Sequence, residues 1–186
     1  LSDSTAVTVS GGTYDVDAID TVASIAGTGG VIDLTGAALT AGNSSSQSFS
    51  GTFLGANQFT KIGSGTLTLS GNSSSVTSYT GIIQINAGTI KISADNNLGN
   101  PDTLDADRLT LNGGTLETTG SFTLNSNRGI TLSGNGTINT GSGTVTYAGV
   151  ISGAGNLTKA GAGTLTISAA QTFTGNLALS AGTIEF

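Results

Sequence analysis

Two stretches of this chain are internal copies of each other. Residues 49–70 read FSGTFLGANQFTKIGSGTLTLS, and residues 147–168 read YAGVISGAGNLTKAGAGTLTIS. They align without a gap, and identical residues fill half of the aligned positions, including Lys61 with Lys159 and the run GTLT. Self-similarity of this kind is the sequence signature of a repeat architecture.

The similarity continues downstream with a small change of offset. Residues 79–92 (YTGIIQINAGTIKI) align with residues 173–186 (FTGNLALSAGTIEF), and the Ser-rich turn at 71–78 is the longer of the two connecting turns. A length change confined to a polar turn costs little, because the entropy of loop closure rises slowly with length.

A shorter motif, Gly-Thr-apolar, opens seven alternating segments. They begin at Gly12, Gly65, Gly88, Gly114, Gly136, Gly163 and Gly182. Alternation with a period of two predicts strands. The apolar member should point inward, and the next residue should point to solvent. The predicted inward residues are Tyr14, Leu67, Ile90, Leu116, Ile138, Leu165 and Ile184. The predicted outward residues are Asp15, Thr68, Lys91, Glu117, Asn139, Thr166 and Glu185.

These patterns predict an all-β fold, a right-handed parallel β-helix (β-solenoid) of about eight coils. Only residues 94–98 and 105–108 could form a turn of helix. The spacing of strands between Gly, Asn and Ser turns also fits sandwiches, but the recurring longer unit favours a solenoid. At about 4.8 Å per coil the rod would be roughly 40 Å long. We expect Gly and Asn to occupy corners with positive φ.

The chain of 186 residues suits one domain. We predict a single β-helical segment over 1–186, with related repeat units at 49–93 and 147–186. The chain starts at Leu1, contains no Met and shows no signal peptide. We therefore expect it to be part of a longer protein.

Composition excludes several classes of function. Five Lys and Arg stand against eleven Asp and Glu, for a net charge of −6, which argues against binding nucleic acid. No apolar run is long enough to insert in a membrane. The chain has no Cys and no His, so thiol chemistry and the usual base for a Ser nucleophile are missing. We predict no enzyme activity, no catalytic residues, no cofactor and no metal.

The stretch LTKAGAGTLTISAAQTFTGNLALSAGTIEF resembles the passenger-associated repeats of bacterial autotransporters. The resemblance is carried by residues 60–92 and 158–186, and the segments between and before them are similar to the linking segments of that family. It implies a right-handed β-helix on the outside of a Gram-negative cell. The family's passengers vary in activity, so the repeat itself implies only the shaft.

Two acidic clusters are candidate sites. One is formed by Asp15, Asp17 and Asp20, and the other by Asp102, Asp105 and Asp107. Such clusters can bind Ca²⁺ or cleave glycosides. Neither matches a known calcium-loop pattern, and Arg108 can pair with its Asp neighbours. Solvated turn residues are therefore the favoured interpretation.

The Gly-x-Gly pairs lack the third Gly and the helix of a phosphate loop, so we interpret them as coil corners. Lys61 and Lys159 each precede such a corner. They could bind an anionic glycan or form a cross-link, but we favour charged gatekeepers on a turn that limit aggregation.

The favoured function is a non-catalytic rod of a surface-exposed autotransporter-like protein, acting as stalk, spacer or adhesin shaft. Its expected partners are further coils of the parent chain or a second molecule stacked end to end. The alternative is an adhesin module that binds a glycan or a cell through loops 42–48 and 71–78, with Tyr79 as the one aromatic anchor. A polysaccharide-cleaving β-helix is less favoured, and so is an ice-binding solenoid, because its Thr-x-Thr array would be interrupted by charge.

Overall fold

The computed structural model describes residues 1–74 and 78–186, and these form short strands with one 3₁₀ helix. In chain order the strands are β1 (Ala6–Thr8), β2 (Thr13–Asp15), β3 (Asp20–Val22), β4 (Ser24–Ala26), β5 (Val31–Leu34), β6 (Leu39–Ala41), β7 (Gln47–Phe49), β8 (Thr52–Gly55), β9 (Phe59–Lys61), β10 (Thr66–Leu69), β11 (Ile83–Ile85), β12 (Thr89–Ile92), β13 (Asp105–Leu111), β14 (Thr115–Thr118), β15 (Phe122–Leu124), β16 (Arg128–Leu132), β17 (Gly136–Asn139), β18 (Thr144–Tyr147), β19 (Ile151–Gly153), β20 (Leu157–Ala160), β21 (Thr164–Ile167), β22 (Leu177–Leu179) and β23 (Thr183–Glu185). The all-β prediction is confirmed.

The strands stack in parallel on three faces of a solenoid of about eight coils. The first face contains β7, β10, β12, β14, β17, β20 and β22, and a bridge from Gly27 to Phe49 joins it to β4 and β1. The second face contains β2, β5 and β8, and further along the rod β15, β18, β21 and β23. The third face contains β3, β6, β9, β11, β13, β16 and β19. The chain visits the faces in the order first, second, third in each coil.

The core lies inside this triangle and is built from the inward members of each alternating strand. Leu67 and Leu165 are 3% and 0% exposed, while Thr68 and Thr166, their neighbours in sequence, are only half-buried. The other predicted core residues, Leu69, Ile90, Ile92 and Ile167, are also buried. Leu67 stacks on Ile90 of the next coil, and Ile90 stacks on Leu116, so the core contains apolar rows that run along the rod.

The two repeat copies are rotated relative to each other by one face of the rod. Leu67 lies in β10 on the first face, but its counterpart Leu165 lies in β21 on the second face. Lys61 likewise lies on the third face and Lys159 on the first. The offset between the copies is thus four coils and one further face.

The Gly-Thr-apolar segments occur on two faces of the rod. The seven Gly-Thr-apolar segments do not occupy one position of the coil, because β2, β21 and β23 lie on the second face while β10, β12, β14 and β17 lie on the first. All three faces present the same problem, a short strand followed by a tight corner. One strand-and-corner sequence therefore fits at any of them.

The two predicted helical turns have different outcomes. Residues 94–98 contain the 3₁₀ helix, Asp95–Leu98. Residues 105–108 are instead the start of β13, which pairs with β11 and β16. The register of β13 shifts between Asp105 and Leu109. The extra residues are taken up by this bulge, because the ladder on the third face provides backbone partners that an isolated turn lacks.

Gly alone takes the positive-φ corners in the described part of the chain, so the prediction that Asn shares them is wrong. Coils also approach closely at other corner glycines: a Cβ on Gly155 would lie 1.8 Å from the carbonyl oxygen of Gly134. Asn side chains instead bridge neighbouring coils. Asn135 Oδ1 accepts from the Nδ2 of Asn156 at 3.0 Å, and Asn156 Oδ1 accepts from the backbone N of Asn176 at 2.7 Å.

We expect Leu67→Asp to unfold the neighbouring coils, with a loss of more than about 3 kcal/mol, because it buries an unpaired carboxylate. Thr68→Asp, one residue away, should change the stability by less than about 1 kcal/mol, since its side chain faces outward beside Lys91. Urea denaturation of both variants measures the difference. Equal destabilisation would mean that the register is wrong.

Candidate functional site

The first acidic cluster lies in the first coil, from the end of β2 to the start of β3. Asp20 accepts a hydrogen bond from the amino group of Leu1 at 2.9 Å and another from the Tyr14 hydroxyl at 3.0 Å. The bond from that amino group is the main reason that the pKa of Asp20 is lowered. Burial, aided by Asp20, raises the pKa of Tyr14 to about 12. Asp15 and Asp17 are exposed, as expected of solvated turn residues.

The second cluster surrounds Arg108. The Arg108 side chain is buried, with Nε 3.4 Å from Asp105 Oδ2 and Nη2 3.6 Å from Asp102 Oδ1. Among the described residues, Nε and Nη1 of Arg108 have no aligned hydrogen-bond acceptor. A hydrogen bond between Asp105 and Asp107 lowers the pKa of Asp105 and raises the pKa of Asp107.

The two clusters do not meet. Within residues 1–74 and 78–186, no group of three or more Asp or Glu side chains is close enough to hold a metal ion. The cluster around Arg108 consists of one cation and its neighbours in sequence. The expected pairing of Arg108 is found with Asp105 but not with Asp107.

A second buried arginine was not singled out as a site by sequence reasoning. Arg128 is 1% exposed and binds Asp95 through two parallel contacts, Nε to Oδ1 at 2.9 Å and Nη2 to Oδ2 at 3.1 Å. The same guanidinium donates to the carbonyl oxygens of Leu98 and Gly99, each at 2.9 Å. Arg128, the first residue of β16, thereby fastens the 3₁₀ segment to the third face. Asp95 lies more than one coil away in sequence, so no local pattern could indicate this pair.

Lys61 and Lys159 are not gatekeepers on a turn; they are 2% and 0% exposed. Lys159 Nζ donates to the carbonyl oxygens of Ala160, Gly161 and Ala181 at 2.7, 2.9 and 3.1 Å. Lys61 Nζ makes two equivalent bonds, to Ile62 at 2.6 Å and Gly63 at 2.9 Å.

These ammonium groups have a structural task. A corner turns backbone carbonyls away from the strand ladder, and a buried carbonyl without a donor is costly. Lysine supplies up to three donors at the end of an apolar stem. Burial lowers the pKa of both lysines. Lys159 follows the apolar Leu157 by two residues, and Lys61 follows Phe59 by two residues. This spacing along a strand was the signal that both lysine side chains point inward.

Two tyrosines perform a similar task on the second face. Tyr79, which the sequence suggested as a surface anchor, is 1% exposed. Its hydroxyl accepts from the backbone N of Phe59 at 3.0 Å and lies within hydrogen-bond distance of the Ile82 carbonyl at 2.9 Å. Tyr147 is also buried and donates to the carbonyl oxygen of Arg128 at 2.6 Å or of Val150 at 3.1 Å.

Both predicted binding loops contain a side chain that accepts a hydrogen bond from the backbone. Loop 42–48 is a polar corner in which the Asn43 side chain accepts from the Ser45 backbone N at 2.8 Å. In loop 71–78, residues 75–77 lie outside the described residues. Ser73 of that loop is buried, and its hydroxyl accepts from the backbone N of Phe53 at 3.0 Å.

The accessible charge is mostly negative in the described parts of the chain. All five Lys and Arg side chains are buried or paired. They are Lys61, Arg108, Arg128 and Lys159, which are buried, and Lys91, which lies 2.7 Å from Glu117. Most carboxylates remain accessible to solvent, so the rod presents an anionic exterior.

An apolar groove opens on the third face beside the second acidic cluster. Its lining residues are Leu104, Ala106, Gly129, Val150, Ser152 and Thr172, around an open volume of about 300 Å³. Leu104 is 73% exposed and Val150 is 40% exposed. We refer to these six residues as the Leu104 groove.

Comparison with known proteins finds a matching repeat family and a similar protein. Residues 59–92 and 157–186 match the family described as Passenger-associated-transport-repeat. The chain is 36% identical over 159 residues to a protein named Adhesin BmaC autotransporter, from Brucella suis biovar 1 (strain 1330). This chain is a β-solenoid that contains two passenger-associated transport repeats. The alignment covers 74% of the chain but 5% of that relative. No solved structure matches the chain.

The passenger repeats include both buried lysines. Lys61 lies in the first matched segment and Lys159 in the second, so the Lys of the repeat is a corner donor inside this solenoid. No helix among the described residues is long and apolar enough to cross a membrane.

We expect Lys159→Met to destabilise the solenoid by about 2 kcal/mol, because it keeps the apolar stem and leaves three carbonyl acceptors without their donor. Lys91→Met removes an accessible ion pair with the same substitution and should cost less than about 1 kcal/mol. Urea denaturation of the two variants compares them. A smaller loss for Lys159→Met than for Lys91→Met would contradict the assigned role.

The buried tyrosines predict a loss of stability at alkaline pH. Burial raises the pKa of Tyr79 well above its ordinary value of 10.0. The unfolded chain ionises its tyrosine near pH 10, whereas the folded chain keeps Tyr79 neutral to higher pH. The stability that Tyr79 contributes is therefore complete below about pH 10 and is lost as the pH rises above it.

Tyr79→Phe should flatten this alkaline loss relative to the parent chain, although it lowers stability at neutral pH by removing the hydroxyl contacts. Denaturation midpoints of both chains over a pH series provide the measurement. Comparing these two chains also removes the contribution of the lysines, which titrate in both with the opposite sign. Parallel pH profiles would show that Tyr79 does not carry the effect.

Proposed function

We propose that this chain is a rigid, non-catalytic segment of a surface-exposed passenger, serving as the stalk, spacer or adhesin shaft of a Gram-negative autotransporter. The observation that carries the proposal is the stack of parallel strands on three faces around one apolar core. Ladders on the first and third faces join successive coils along most of the rod, and the second face adds ladders on either side of the gap between β8 and β15, so bending the rod would strain several ladders at once.

The side chains support a structural role over a chemical one. The two arginines are buried, and Arg128 is fully engaged with Asp95 and the backbone. The lysines of the repeats donate hydrogen bonds to carbonyl oxygens at the corners. A polysaccharide-cleaving groove needs carboxylates that converge with accessible cations, and the Lys and Arg side chains of this chain are buried or paired.

The C-terminal coil supports end-to-end stacking. Its strands β22 and β23 are edge strands of their sheets. Leu177, Leu179 and Phe186 are 40%, 56% and 80% exposed. In the first repeat copy, the counterparts Ile83, Ile85 and Ile92 are buried beneath the following coil. We therefore propose that a further solenoid coil, from the same protein or from a second molecule, covers this surface.

Adhesion is a second candidate function, favoured by the similarity of the chain to a protein named as an adhesin. On this proposal the polar loops and the anionic exterior contact a glycan or another cell, and the solenoid holds them away from the producing cell. Binding of the chain to cells that is lost when loop 42–48 is replaced by Gly and Ser would support it.

Self-association tests the stacking proposal. We expect sedimentation velocity over a concentration series to show end-to-end oligomers of this chain without substitutions. Leu179→Asp should abolish them, because it places a carboxylate on the surface to be covered. Leu104→Asp, which alters an exposed Leu on the side of the rod, should leave association unchanged. A strictly monomeric parent chain at high concentration would overturn stacking between molecules.

A further inference from the structure

The Leu104 groove is a preformed feature of the third face. It exists because β13 contains more residues between Asp105 and Leu109 than β16 contains opposite them. Gly129 forms part of the floor under Ala106, since a Cβ at Gly129 would lie 2.4 Å from the backbone of Ala106. The bulge thus pushes Leu104 and Ala106 outward while the neighbouring coils continue in register.

Hydrogen bonds hold the groove in this shape. Thr131 Oγ1 donates to the carbonyl oxygen of Ala106 at 3.0 Å and lies 3.2 Å from the hydroxyl of Ser152. The Val150 carbonyl accepts from the backbone N of Ile130 at 3.2 Å and lies 3.1 Å from the Tyr147 hydroxyl. A ligand would therefore find the wall and floor ordered in advance, which reduces the entropy lost on binding.

The chemistry beside the groove is anionic. Asp102 and Asp105 lie within two residues of Leu104, and their side chains are 53% and 40% exposed. Their one cationic neighbour, Arg108, is buried and contacts them at 3.4 to 3.6 Å, longer than a good charge-assisted hydrogen bond. An incoming cation could therefore reach these carboxylates from solvent.

We propose that the Leu104 groove binds an extended, cationic segment of another protein, with apolar side chains placed on Leu104 and Val150 and flanking Lys or Arg side chains on Asp102 and Asp105. A large apolar side chain that remains exposed in a rigid groove is typical of an interaction site. The acidic rim selects the sign of the partner's charge.

A second copy of this chain does not fit the same groove. The chain has a net charge of −6, and its cations are buried or paired with Glu117. Two copies would bring acidic surfaces together without a compensating cation. The partner is therefore a different, basic protein segment, and the groove is separate from the C-terminal coil on which end-to-end stacking depends.

Three labelled heptapeptides test the proposal by fluorescence anisotropy. The first alternates Lys and Leu, the second alternates Lys and Ser, and the third alternates Glu and Leu. We expect the Lys–Leu peptide to bind at least about tenfold more tightly than either other peptide, because the Lys–Ser peptide lacks the apolar side chains and the Glu–Leu peptide is repelled.

Matched variants locate the site. Leu104→Ser and Val150→Thr should each weaken binding of the Lys–Leu peptide by about tenfold. Asp102→Asn should weaken it less and should reduce its dependence on salt. Ile19→Ser changes another exposed apolar residue, 84% exposed, at the N-terminal end of the rod, and Asp3→Asn changes another exposed carboxylate; both should leave binding unchanged.

The proposal is overturned if no peptide binds, or if the Lys–Leu and Lys–Ser peptides bind equally, which would indicate attraction to the anionic surface in general. It is also overturned if Ile19→Ser weakens binding as much as Leu104→Ser. Far-UV circular dichroism of Leu104→Ser should match that of the parent chain, since the altered side chain is largely in solvent.

Discussion

The direct stacking of parallel strands, one coil over the next, is the constraint on which the rest of this molecule depends. Backbone ladders fix the separation of coils at about 4.8 Å, so inward side chains rest on their counterparts in the next coil and form rows such as Leu67 on Ile90. The same spacing leaves little room at the corners. At Gly155 even a Cβ would collide with the coil below, which is why glycine is so abundant in a chain with little helix.

Corners also create the main electrostatic problem of the fold. Where the chain turns from one face to the next, carbonyl groups leave the ladder and point toward the interior. The solution here is to bury donors that reach them: the ammonium of Lys159, the guanidinium of Arg128 and the hydroxyl of Tyr147. Because four of the five cations are used inside, the exterior carries mostly carboxylates. The anionic surface of the rod is thus a consequence of how its corners are built.

Much of the fold could be predicted from alternation, because the period of two sets which side chains face the core regardless of their partners. Leu67 inward and Thr68 outward follow from it directly. The face that each repeat occupies could not be predicted, since β10 and β21 share one sequence pattern and every face accepts it. The lysines were misplaced because charge was taken as a sign of exposure, although Lys159 follows Leu157 at the inward spacing. The pairing of Arg128 with Asp95 depends on the length of the irregular segment between β12 and β13, which contains the 3₁₀ helix. The bulge that forms the Leu104 groove has no local sequence signal.

The rotation of the second repeat by one face is the most specific claim of this account, and disulfide formation measures it directly in a chain without native Cys. Thr137 and Thr158 are paired on the first face, so Thr137→Cys with Thr158→Cys brings two outward Cβ atoms together across adjacent coils at a distance that a disulfide can span. Mild oxidation should cross-link this pair quantitatively, as judged by peptide mapping. In the first repeat copy, the segment around Lys61 lies on the third face. If the second copy occupied that face too, Thr131→Cys with Thr158→Cys would cross-link, and Thr137→Cys with Thr158→Cys would not. That result would contradict the arrangement of the faces.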